Sequence, residues 1–109
     1  MNLSRPGRHL VTKIDVGVAY GTDVGAAKRL LVESAQASSH VDPRLEPVAV
    51  VRQFGEYALN LRVSFWAKDY TTQGLAVDEV HEEVYRRFAE AGIEIAYPIR
   101  RILQEADSS

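Results

Sequence analysis

Cysteine is absent from the 109 residues. That excludes disulfides, cysteine-ligated zinc, iron–sulfur clusters and thiol catalysis, and it suits a reducing compartment. Long apolar runs are missing too: nothing approaches the about 20 consecutive apolar residues of a membrane-spanning helix. The N-terminal "MNLSRPGRH" carries basic residues with no apolar stretch behind them, so it does not read as a signal peptide. Charge of one sign is scarce. Lys and Arg number 13 against 15 Asp and Glu, a formal net charge of −2, which gives no electrostatic case for nucleic acid or an anionic membrane surface. What remains is 46% hydrophobic and 26% charged, the balance of a folded chain with one core of ordinary size.

The alternation begins at Leu10. Leu10, Thr12, Ile14, Val16, Val18 and Tyr20 fall on one side, with Lys13, Asp15 and Gly17 on the other; period two predicts a half-buried strand. Gly21 ends it, Thr22 is placed to cap the following helix, and Asp23 puts a negative charge in the first turn, where the helix dipole favours it. Val24, Ala27, Leu31 and Ala35 predict a helix from about Asp23 to Ala37. Pro43 and Pro47 make "SSHVDPRLEP" a loop. "VAVVRQF" and "ALNLRVSFWA", joined by "GEY", predict an antiparallel hairpin. Beyond "KDYTTQG", the stripe Val77, Val80, Val84, Phe88 and Ala91 predicts a second helix, with Glu82–Arg86 and Glu83–Arg87 as pairs on its wet face. Gly92 stops it as a left-handed C-cap residue, and "IEIAYPIRRIL" reads as a last extended segment broken by Pro98. The order strand, helix, strand, strand, helix, strand implies an α+β fold: a ferredoxin-like βαββαβ sandwich with two helices on one face of a four-stranded antiparallel sheet.

Chemistry is hard to find in these residues. The turn at Gly21 feeds a helix N-terminus but has neither GxGxxG nor a GK[ST] ending, and Asp23 sits where an anion would dock. Structural capping is the better reading of Gly21, Thr22, Asp23 and Gly92. An acylphosphatase-type site wants a basic residue in this first loop, and "YGTD" has none. "HEEVY" is not HExxH, because Tyr85 occupies the second histidine's place. His9, His40 and His81 show no metal-ligand spacing, and no serine has an evident histidine and acid partner. No catalytic, cofactor or metal residue is assigned, and the chain is not expected to be an enzyme. The third strand lacks the glycine–aromatic signature of RNA-recognition domains. More telling is the side of the sheet that two helices leave open. Val11, Ala19, Val51 and Trp66 are expected there, and an outward-facing tryptophan marks a contact surface.

"NLSRPGRHLVTKIDVGVAYGTD", "EPVAVVRQFGEYALNLRVSFWA" and "AGIEIAYPIR", in this order and separation, resemble the C-terminal cytoplasmic domain of the small-conductance mechanosensitive channel family. The resemblance runs from about Asn2 to Arg100. It implies a ferredoxin-like domain that follows a small β domain below membrane-spanning helices. It also implies a homo-oligomer, a heptamer in the intact channel, whose copies form a hollow cytoplasmic cage beneath a tension-gated pore that relieves osmotic downshock. Residues 1–8 then read as the linker out of the β domain, 9–103 as the cage domain and 104–109 as a polar tail. Membrane contact would come only through segments outside these residues. Trp66, Tyr97 and Pro98 are expected at subunit contacts. Two departures stand out: Ala96 replaces the first proline of the family's closing motif, and Ile99 replaces its glutamine. A stand-alone small-molecule-binding regulatory domain on the same fold is the alternative.

Overall fold

A computed structural model describes residues 10–96. Strand β1, Leu10–Val18, buries Thr12, Ile14, Val16 and Val18 and exposes Lys13 and Asp15, following its period-two pattern. It stops two residues short of Tyr20, which lies exposed beyond the strand with its hydroxyl donating to the Gly55 carbonyl. Gly21 then turns the chain at φ 96, a backbone conformation costly for any residue with a Cβ. Helix α1 spans Val24–Gln36. Its cap is Asp23, whose carboxylate accepts the Ala26 amide at 3.1 Å. Thr22 does not cap the helix: its hydroxyl donates back to the Ala19 carbonyl at 2.6 Å, bracing the turn.

β2 (Val48–Phe54) and β3 (Leu59–Ala67) form the hairpin, closed by Gly55 N–H donating to Ala58 O at 2.8 Å. β3 is the centre of the sheet, whose order is β1-β3-β2 with both pairings antiparallel. Its residues alternate without a break: Leu59, Leu61, Val63, Phe65 and Ala67 are buried, and the residues between them are half-exposed. A turn of 3-10 helix at Tyr70–Thr72 leads into α2, Gln73–Ala91. Asp69 accepts the amides of Thr71 and Thr72 at 2.8 and 3.1 Å and organises that entry. α2 buries Ala76, Val80, Val84 and Phe88, one residue per turn, against α1 and the sheet. Val77 packs at the edge of this stripe. Ala91, expected in it, is exposed: the buried residues follow steps of four from Ala76 to Phe88, and Ala91 stands three past the last of them.

The expected fourth strand is not present among the described residues, where the sheet has three strands. Val18 and Ile95 make an isolated antiparallel bridge, supported by Ala19 N–H to Glu94 O at 3.1 Å and Ala96 N–H to Gly17 O at 2.8 Å. Tyr97, Pro98 and the remainder of that segment lie outside the described residues.

Gly92 closes α2 in the left-handed region, φ 75, with its amide donating to Ala89 O and the Ile93 amide returning to Phe88 O. Gly92→Ala forces a Cβ into that conformation and is expected to cost about 1 kcal/mol, read as a lower urea midpoint with an unchanged m-value.

Candidate functional site: the open face of the sheet

The two helices cover one side of the sheet, and pairing register decides what the other side presents. Val11 lies opposite Trp66, Lys13 opposite Ser64, Asp15 opposite Arg62, and across β3 Val48 and Val50 oppose Ser64 and Arg62. The face therefore carries an apolar corner of Val11, Trp66 and Val48 beside a charged centre. Val11, Val48 and Val50 are exposed and Trp66 is half-buried. Val51, expected here, belongs to the opposite side: it pairs with Leu61 and packs against the core. A register shift at Arg52 then re-aims the rest of β2. Ala19 lies beyond the end of β1 and contributes through its backbone.

At the centre, Arg62 grips Asp15 with two hydrogen bonds, Nε to Oδ1 at 2.7 Å and Nη2 to Oδ2 at 3.2 Å. That grip holds the Asp15 carboxyl below its ordinary range, and the nearby charges of Arg52 and Lys13 push the same way. Three cations surround one carboxylate, so this side of the molecule is locally positive although the chain as a whole is not.

A second polar cluster ties the loop after α1 to α2. Glu79 Oε1 accepts from Ser38 Oγ at 2.6 Å and from the Ser39 amide at 3.2 Å, and His40 Nδ1 lies 3.1 Å away. Serine, histidine and carboxylate together invite comparison with a nucleophile–base–acid set. The geometry is otherwise: the serine hydroxyl proton goes to the carboxylate, not to the imidazole, and Ser38 Oγ itself accepts the His40 amide at 3.1 Å. The cluster is a clasp. His40 is legible as a loop residue, but Glu79, 39 positions on, gives no sequence signal that it is the partner. His81 is exposed on α2 and His9 lies outside the described residues. Among the described residues no three His, Asp or Glu side chains converge as a metal site, and no helix is long and apolar enough to cross a membrane.

Along α2, Glu83 takes both Arg86 and Arg87, at 2.5 and 2.9 Å, and Arg87 reaches Glu33 of α1 at 3.6 Å. Arg86 pairs with Glu83 and Glu90 rather than with the expected Glu82.

Over the described residues the domain is α+β, with two helices on one side of a three-stranded sheet and the other side open. Residues 12–95 match the sequence model of a family described as "Mechanosensitive ion channel MscS, C-terminal", and the chain belongs to that family. It is 31% identical over 98 residues to the small-conductance mechanosensitive channel MscMJ of Methanocaldococcus jannaschii, a match covering 85% of this chain and 27% of that protein. It therefore spans about a quarter of its relative's length. In structure it superposes on closed-state Helicobacter pylori MscS with a TM-score of 0.76 at 20% identity, over 86% of this chain and 37% of the other. The fold is shared.

The Glu79 clasp gives a pH test. Its hydrogen bonds from Ser38 and His40 lower the Glu79 pKa from 4.5, so its stabilisation is complete above that value and is lost as pH falls through the depressed folded value. Urea midpoints measured down the acid limb should fall less steeply for Glu79→Gln than for the native chain. Some fall is retained, because Asp15, Asp69 and Glu83 are lowered as well.

Proposed function

We propose that this chain is the cytoplasmic, cage-forming domain of a tension-gated mechanosensitive channel subunit, with a structural and assembly role and no catalysis. The observation that carries this reading is the family match across residues 12–95 on a domain whose sheet is covered on one side only. In the intact protein the domain sits on the cytoplasmic side of the membrane as part of a heptamer, below membrane-spanning segments and a β domain. The ferredoxin-like topology, with the extended segment that begins at Ile93 as its fourth strand, belongs to the same reading, and the bridge from Ile95 to Val18 supports it. Gly21, Thr22, Asp23 and Gly92 are framework residues, and Trp66, Tyr97 and Pro98 meet neighbouring copies. The channel's opening under tension relieves osmotic downshock.

The complete reading frame, expressed in cells stripped of their own mechanosensitive channels, should restore survival after dilution and give suction-activated currents in excised patches. Loss of both, with the protein in the membrane, counts against the reading. Trp66→Ala should lower the yield of assembled oligomer while leaving the thermal midpoint of the domain within a few degrees, as expected for a half-exposed side chain.

One observation favours a second reading, a ligand-binding regulatory domain. An open cleft of about 430 Å³ runs along the loop before β2, lined by Gln36, Val41, Asp42, Arg44, Leu45 and Pro47 among others. Its most buried charge is already engaged: Asp42 accepts the Arg44 amide at 3.0 Å and the guanidinium at 3.0 and 3.1 Å. A ligand at 100 times its Kd stabilises a fold by about 2.7 kcal/mol, so a thermal-shift screen with metabolites is decisive. No saturable rise is expected, and a saturable one abolished by Arg44→Ala would bring the second reading forward.

A further inference from the structure

The charges of the molecule divide into two groups. Most carboxylates and guanidiniums of the helix layer are spent on one another, in the Glu33–Arg87–Glu83–Arg86–Glu90 series. Of the charges that have no ion pair among the described residues, four lie on two surfaces of opposite sign. On the open sheet face, Lys13 and Arg52 have no ion pair of their own among the described residues, although both sit close enough to Asp15 to depress it. On the outer side of α2, Asp78 and Glu82 are exposed and likewise have no cation among the described residues.

Those two acids are not scattered. Leu75, Asp78, Glu82 and Tyr85 follow one another at steps of three and four, which aligns them as a single strip along α2. Leu75 and Tyr85, at its ends, are 54% and 65% exposed. The strip is thus apolar at both ends and acidic between, and its ten residue steps cover about 15 Å. The sheet presents a basic patch, Lys13, Arg62 and Arg52 about Asp15, with Val11 and Trp66 across one end and Val48 and Val50 along the adjoining β2 edge. Three strands give it a width of about 10 Å between outer strand axes. The two surfaces are opposite in charge, and each carries exposed apolar side chains beside its charges.

We propose that the open sheet face of one copy receives the outer strip of α2 from the next copy, so that neighbours join head to tail. This rests on the cage reading given above and names the surfaces that meet. Charge selects this arrangement over the symmetric ones. Sheet against sheet brings Lys13 and Arg52 onto their own copies, and helix against helix does the same to Asp78 and Glu82, whereas sheet against helix pairs them. The contact uses different patches on its two partners, and a contact of that kind forms a ring where the rotation between neighbours closes and a filament where it does not.

The test uses the chain's lack of cysteine. In the protein expressed from its complete reading frame, with any cysteine outside these residues replaced by serine, Val50→Cys and Glu82→Cys are introduced together and singly, and the membranes are mildly oxidised. The double variant is expected to give a ladder of cross-linked species beyond the dimer. Each single variant alone is expected to give none, and a mixture of the two is expected to give dimers only. On the cross-linking background, Lys13→Glu with Arg52→Glu should cut the yield about fivefold or more, and adding Asp78→Lys should restore a substantial part of it. All these positions are exposed, so the fold is not at stake in reading the result. Dimers from Val50→Cys alone place sheet on sheet and overturn the proposal. So does a double variant whose β2 thiol is shielded from alkylation yet never bonds to the α2 thiol, because the subunit's own preceding domain then covers the face. A channel that conducts under tension without the ladder also overturns it while leaving the cage reading intact; loss of both current and oligomer removes the cage reading as well.

Discussion

The period-two pattern of β3 is the constraint on which the rest depends. As the middle strand it has a partner on each edge, so its backbone is satisfied by β1 and β2 and its side chains alone decide where the layers go. Leu59, Leu61, Val63, Phe65 and Ala67 all point one way, and Leu61, Val63, Phe65 and Ala67 are fully buried. A chain with two helices can cover one such face. The helices answer with Ala27, Ala35 and Ala76 where close approach is required and with Leu31 and Phe88 where volume is. Everything on the other face, Asn60, Arg62, Ser64 and Trp66, is consequently left for contacts outside the core.

How far the fold was legible follows from the range of each signal. The alternation of "LNLRVSFW" and the spacing of Val80, Val84 and Phe88 are local periodicities, and the elements they predict are present. The misreadings occur where a longer-range interaction chooses. Thr22 and Asp23 are both good cap residues by type; the turn at Gly21 directs the Thr22 hydroxyl back to Ala19 and leaves Asp23 facing the free amides. Val51 belongs to a run of apolar residues, and only its pairing with Leu61 decides its face. Glu82 and Glu83 are equally good partners for arginine in sequence, but Glu33 on α1 draws Arg87 toward the α1 side and Glu83 with it.

The acids of this domain bear on what it does. Asp69 organises the entry to α2, Glu79 clasps the loop after α1, Glu83 holds Arg86 and Arg87 along α2, and Asp15 holds Arg62 on the sheet; each is lowered by the hydrogen bonds it accepts. A carboxyl held this way is ionised at neutral pH and is a weakened base, the opposite of the tuning that acid–base catalysis requires. Its lone pairs are committed to geometry. The same residues that a search for chemistry would single out are the ones fastening loops and helices together.

Folding of this molecule draws on one face of its sheet. The core closes without a partner: its large buried side chains, Phe65, Phe88, Leu31 and Leu61, are sealed by the chain's own two layers. The open sheet face is mixed, with three exposed valines and one half-buried tryptophan beside its charges. That composition suits a contact made between already folded bodies, where apolar patches contribute area and unlike charges fix register. A domain that had to fold and assemble in one step would bury a continuous apolar interface instead. Here the burial pattern of a single strand puts the stability of the domain on one face and its capacity for contact on the other.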